Sequence, residues 1–172
     1  MKSIAKKNVV LIGFMGTGKT EVGKLLAVAL NRRLVDTDEQ IEAAEGRTIN
    51  EIFASDGEVY FRRKEAEVIA DLCRQTGLVL STGGGCVINL ENVRNLRENG
   101  YVIWLDATIE ELKRRLAGDN KRPLLAKNKD FTALYRQRAE LYRQAAHVRI
   151  DTTGKSPLAV SEEIIAFLQK DA

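Results

Sequence analysis

Cysteine, proline, histidine and tryptophan are all scarce, with two, two, one and one of them in 172 residues. Two isolated cysteines, Cys73 and Cys86, supply neither a disulfide framework nor the paired spacing of a structural zinc site. Both are expected as reduced, packed thiols, with Cys86, beside a run of glycines, a candidate for exposure. The single histidine, His147, has no metal-ligand companions, which argues against a histidine-based metal centre and leaves it without a catalytic role. With only two prolines and no repeat or low-complexity segment, nothing marks a linker, so one domain over residues 1–172 is expected. Apolar runs long enough to span a bilayer are missing, and the basic opening at residues 1–7 leads into no signal-type apolar stretch. A dominant charge is missing too: 27 basic against 24 acidic residues give +3 with no sustained basic block. That balance gives no ground for a nucleic-acid or membrane partner. A soluble, cytoplasmic protein is the expectation.

What is present is a globular balance of 44% hydrophobic and 30% charged residues, laid out as short apolar runs alternating with helical patterns. Strand-like runs fall at 9–12, 34–36, 78–82, 101–105 and 148–151, and helical periodicity at 20–31, 58–74, 91–99, 109–116, 130–145 and 158–169. Strands alternating with helices imply an α/β fold with a parallel sheet covered on both faces. Ligands in such sheets lie beyond the carboxyl ends of the strands. That rule selects Asp36, Thr82 with the glycines after it, and Asp106. The polar stretch 118–129, which contains Pro123, has no clear period and is the candidate flap over a nucleotide.

The sharpest motif is Gly13-Phe14-Met15-Gly16-Thr17-Gly18-Lys19-Thr20, which fits G-x-x-x-x-G-K-[ST] at every fixed position. Its chemistry is specific. Glycines let backbone N–H groups curl around phosphates, Lys19 reaches the outer phosphates, and the Thr20 hydroxyl can ligate Mg²⁺. The motif joins a buried strand to a helix start, where unpaired N–H groups and the helix dipole favour an anion. Gly16, Thr17, Gly18, Lys19, Thr20 and Glu21 are therefore the candidate nucleotide-binding positions, and the chain is read as binding a nucleoside triphosphate.

Asp36-Thr37-Asp38 closes the second strand. Asp36 suits a Mg²⁺ held directly or through water, and Asp38, projecting the same way, can reach a second substrate. A helix N-cap at the same place is the structural reading, and the two are compatible. Arg62 shares a helical stripe with Ala66, Ile69 and Cys73, whereas Arg63 falls on a solvated face. Arg138 sits among Leu134, Leu141 and Tyr142 in the same manner. Two inward arginines want an anion between them, such as a carboxylate or phosphate. Internal acids, with Glu65 and Asp38 as the candidates, are the competing account. Gly83, Gly84 and Gly85 follow the third strand, where three glycines together suggest close approach to the backbone by a ligand. Arg122, in the flap, is a candidate to swing over a transferring phosphate.

Taken in order, the phosphate loop, Asp36-Thr37-Asp38, Gly57 ahead of Phe61-Arg62, the triple glycine, Arg122-Pro123-Leu124-Leu125 and Arg138 with Tyr142 resemble the shikimate kinases nearly end to end. The resemblance implies a three-layer αβα sandwich with a five-stranded parallel sheet in the order 2-3-1-4-5, and a lid at about 117–129. It implies transfer of the ATP γ-phosphoryl group to the 3-hydroxyl of shikimate, with Mg²⁺, by a monomer. It assigns Lys19 to the phosphates, Thr20 and Asp36 to Mg²⁺, and Asp38 to orienting the hydroxyls and taking a proton. Arg62 and Arg138 would clamp the shikimate carboxylate, Gly83, Gly84 and Gly85 would line its pocket, and Arg122 would act on ATP from the lid. Glu21 departs from the family's usual Ser or Thr, and its side chain is expected to turn outward. The rivals are a kinase for gluconate or a nucleoside monophosphate and, from another class, a GTP switch suggested by Asp151-Thr152-Thr153-Gly154. No N-K-x-D motif accompanies that last match.

Overall fold

The computed structural model describes residues 7–118 and 130–170. Five parallel strands, β1 (Asn8–Ile12), β2 (Arg33–Asp36), β3 (Leu78–Ser81), β4 (Gly100–Asp106) and β5 (Val148–Asp151), form one sheet in the order β2-β3-β1-β4-β5. This is the order that the family resemblance implied. Central β1 is buried along its whole length, which is why it reads as an unbroken apolar run rather than an alternating one. Alternation instead sorts its side chains by face. Val9 and Leu11 pack with α1 (Lys19–Leu30) and α7 (Pro157–Lys170). Val10 and Ile12 pack with α3 (Ile49–Cys73), α4 (Leu90–Asn99), α5 (Ile109–Ala117) and α6 (Phe131–Ala145). Helices thus cover both faces, and no helix among the described residues is long and apolar enough to cross a membrane.

Strand order reverses direction at β1, whose chain crosses to β2 on one side while β4 lies on the other. The crevice this opens beyond the strand ends is where an α/β sheet binds ligands. It is tightened by Thr82, whose N–H and hydroxyl both donate to the Leu11 carbonyl, at 3.2 and 2.9 Å. That drives the chain after β3 close against the end of β1.

Two elements depart from expectation. α2 (Thr37–Glu45) is followed by an α3 that begins at Ile49 rather than 58. Thr48 and Glu51 form a reciprocal capping box that starts the helix there. Gly57 then interrupts it at φ 81 and ψ 177, so the periodic stretch is the second half of a broken helix. Cys86 is fully buried in a short 3-10 turn (Cys86–Ile88), not exposed. The hydrogen bonds that close this turn fold the thiol into the core, and burial raises its pKa to about 12.

Candidate active site

Between β1 and α1 the chain makes a tight loop whose shape glycine permits. Gly13 has φ 151, and a Cβ there would collide with the Leu105 carbonyl oxygen and lie 2.9 Å from Thr17 Oγ1. Thr17 is buried and its hydroxyl donates to the Phe14 carbonyl at 2.8 Å, closing the loop from inside. Gly18 caps α1 at φ 89, leaving the first-turn N–H groups without intrahelical acceptors. Those amides and the helix dipole make the loop's hollow an anion site. Lys19 Nζ donates to the Gly13 and Phe14 carbonyls at 2.8 and 3.0 Å, which holds the ammonium beside that hollow. Glu21 is exposed and ion-paired to Lys24 at 2.8 Å.

The loop forms one end of a cavity of about 410 Å³ that Thr20, Asp36, Asp38, Arg62 and Arg138 also line. Asp36 Oδ1 accepts from the Asp38 and Glu39 N–H groups at 2.9 and 3.2 Å, capping α2. Capping occupies one oxygen only, so the residue both starts a helix and faces the cavity. Thr37, between the two aspartates, is buried and its hydroxyl accepts from the Gly83 N–H at 3.1 Å. This bond ties the end of β2 to the glycine run. A Cβ on Gly83 would lie 2.7 Å from Asp38 Oδ1, and one on Gly85 would collide with the Arg62 guanidinium. The close approach expected at these glycines is therefore made by the protein's own charged side chains, packed on bare backbone beside the cavity.

Arg62 is already paired from beneath. Its Nη1 lies 2.9 Å from Glu65 Oε1, and its Nε lies 3.4 Å from Glu58. Glu65 is 1% exposed, and burial pushes its carboxyl above the ordinary range, against the opposing pull of Arg62. Internal pairing and an anion clamp are thus not exclusive: Glu65 fixes the guanidinium while part of it faces the cavity. Asp106, the other strand-end candidate, is consumed internally. Its Oδ1 accepts from Tyr135 at 2.9 Å and its Oδ2 from Arg149 at 2.8 Å, so it braces β4, β5 and α6.

The shikimate kinase family profile matches residues 15–169. A shikimate kinase of Persephonella marina is 48% identical over 164 residues, covering 95% of this chain and 99% of its own. One of Pelotomaculum thermopropionicum is 46% identical, covering 95% and 96%. Among solved structures, shikimate kinase from Acinetobacter baumannii in complex with shikimate superposes with a TM-score of 0.86 at 36% identity, covering 95% of this chain and 93% of that one. The chain belongs to the shikimate kinase family.

In this member of the shikimate kinase family the fold brings together at one cavity Lys19, Thr20, Asp36, Asp38, Arg62, the three glycines and Arg138. Gly16, Gly18 and Glu21 line this cavity and also an adjoining groove, which Thr17 lines as well. Arg122 lies outside the described residues, as does the expected lid beyond Gly118. Sequence reasoning missed Thr37, hidden between two aspartates that drew the attention. It noted Tyr142 only as a neighbour of Arg138. The groove also went unread, because its walls come from three separate places. Arg115 reaches across it, donating to the Gly16 carbonyl at 3.3 Å and to the Thr152 carbonyl at 2.7 Å. Thr152 belongs to the stretch that resembled a GTP-switch motif; here it is buried, and its hydroxyl donates to the Asp106 carbonyl at 2.8 Å.

Proposed function

We propose that the chain transfers the γ-phosphoryl group of ATP to the 3-hydroxyl of shikimate. The observation that carries this is one cavity with a phosphate loop at one end and two arginines flanking a glycine turn at the other. Family membership supplies the acceptor. The nucleotide's phosphates lie in the loop, where its amides and Lys19 offset their charge. The base and ribose extend into the adjoining groove between Arg115 and Pro157, which shares Gly16 and Gly18 with the loop. At the far end Arg62 and Arg138 take the acceptor carboxylate as planar donors. Asp38, packed on Gly83, orients the reacting hydroxyl and accepts its proton as that oxygen bonds to the γ-phosphorus and the bond to the leaving ADP oxygen breaks.

Magnesium fits the donor set. Thr20 and Asp36 offer a hydroxyl and a carboxylate, both hard oxygens, and no cluster of three metal-ligating side chains occurs among the described residues. That suits an ion shared with nucleotide phosphates and water rather than a protein cage. Bound there with the nucleotide, it supplies charge neutralisation to the phosphate oxygens. Arg122 acts from the lid in this reading. In this reading the enzyme is a monomer, the state the family resemblance implies, and works in the cytoplasm, where two free, buried thiols fit.

The test is ADP release from Mg·ATP with and without shikimate, run beside gluconate, AMP and CMP. Strong stimulation by shikimate alone is the expected result. Stimulation by another acceptor instead would retain the phosphate loop and discard the carboxylate clamp.

A further inference from the structure

Tyr142 is fully buried on α6, and its hydroxyl donates a short hydrogen bond to the Gly84 carbonyl. The flanking carbonyls are already committed: Gly83 accepts from the Cys86 N–H and Gly85 from the Ile88 N–H, each at 3.1 Å. Of the three glycine amides, Gly83 donates to Thr37, while those of Gly84 and Gly85 meet no acceptor among the described residues. A trans peptide is planar, with its C=O and N–H pointing in opposite directions. Holding the Gly84 carbonyl against α6 therefore turns the Gly85 N–H the other way, toward the cavity that both glycines line. Glycine itself does not secure that orientation, because without a Cβ a flipped peptide costs little.

We propose that Tyr142 is a positioning residue for the acceptor: its hydroxyl locks the Gly84–Gly85 peptide so that the Gly85 N–H, beside Arg62, is presented to the acceptor carboxylate. This rests on the reading of the cavity as the shikimate site. A second connection runs along α6 itself. Arg138 lies one turn before Tyr142 on the same helix, so its charge acts on the phenol. Helix α6 thus carries both the second arginine and the hydroxyl that holds the glycine turn. Burial raises the phenol's pKa further above its ordinary value, so it remains a donor at every working pH. Packing alone does not call for the hydroxyl. The ring lies 6.0 Å from Trp104 in the core, and a phenylalanine would fill that space equally.

The experiment is Tyr142→Phe, with kinetics for shikimate, for its analogue carrying CH₂OH in place of the carboxylate, and for ATP, together with a thermal midpoint. Loss of one hydrogen bond to a charged group should raise the shikimate KM about tenfold. The ATP KM should stay unchanged, and the preference for shikimate over the alcohol should shrink by the same factor. A shikimate KM equal to wild type, or an equal rise for both acceptors, overturns the proposal. Should the variant not fold, wild-type protein labelled with ¹⁵N-glycine carries the test. The Gly85 amide resonance should shift on titration with shikimate and not with the alcohol, and an unmoved resonance overturns the proposal. Wild-type enzyme that shows no shikimate-dependent ADP release overturns the acceptor reading itself, and that failure is seen before any variant is made.

Discussion

Glu65 sets the terms on which Arg62 can be tested. Its raised pKa means that the ionised carboxylate is disfavoured in the fold. Taken alone, that group contributes stability below its unfolded pKa and loses it as pH rises through the folded value. At neutral pH the nearby Arg62 offsets this cost. Arg62→Ala would therefore strand a buried charge and lower stability by roughly 3 kcal/mol, the low end for a broken buried pair because Arg62 is itself 21% exposed. A poor KM in that variant would then have two causes. Arg62→Ala with Glu65→Gln separates them. We expect urea unfolding to show most of the stability restored while the shikimate KM stays at least tenfold raised. A restored KM would reduce Arg62 to a structural partner of Glu65. This pairing shows how far a single stripe can be read from sequence. Arg62 was legible as an inward arginine because Ala66, Ile69 and Cys73 share its face. That its carboxylate partner would be almost wholly buried depends on tertiary packing against α3, to which α4 and the 3-10 turn contribute and which no local spacing encodes.

At the scale of elements, α3 is where periodicity served least well. Its second half carries the stripe with Arg62 and was read correctly, whereas its first half has its clearest signal in Thr48 and Glu51, a cap rather than a period. Gly57 joins the halves at φ 81 and ψ 177, a backbone region nearly closed to other residues. A Cβ there would meet nothing within 4 Å, so a substitution is opposed by backbone strain alone. Gly57→Ala should therefore cost about 1–3 kcal/mol, lowering the thermal midpoint by roughly 3–9 °C. Because Gly57 sits five residues before Arg62, relaxing the break toward regular helix would also turn the arginine's stripe relative to the segment before it. The shikimate KM should rise with the fall in midpoint, while the ATP KM holds. A variant as stable as wild type, measured by calorimetry, would mean the break is not fixed by this glycine. The phosphate loop stands at the other extreme. Its backbone path was written in eight consecutive residues, since each of its three glycines takes a positive φ.

For the molecule as a whole, periodicity carried the layers but not their order. Short apolar runs between helices imply a parallel sheet, yet nothing local places β3 between β2 and β1; that came from the likeness to a family. The far edge of the sheet shows a long-range contact of the same kind. His147 was set aside for want of metal-binding companions, and it proves to secure β5 against β4. Its N–H donates to the Val102 carbonyl at 2.8 Å and its Nδ1 accepts from the Val102 N–H at 2.9 Å, with the ring stacked 5.0 Å from Tyr101. An accepting Nδ1 must be unprotonated. Desolvation first, and then Arg97 and Lys7, hold the imidazole's pKa below its usual value. A depressed folded pKa means that neutral His147 contributes stability above the unfolded pKa of about 6.5 and loses it as pH falls through the folded value. Thermal midpoints measured from pH 8 to pH 5 should thus decline for the wild type. His147→Ala should start lower at pH 8 and fall less steeply, so that the two curves converge in acid, because protonated His147 and alanine alike leave the Val102 N–H without this acceptor. Curves that run parallel would show that His147 titrates without consequence for the β4–β5 edge.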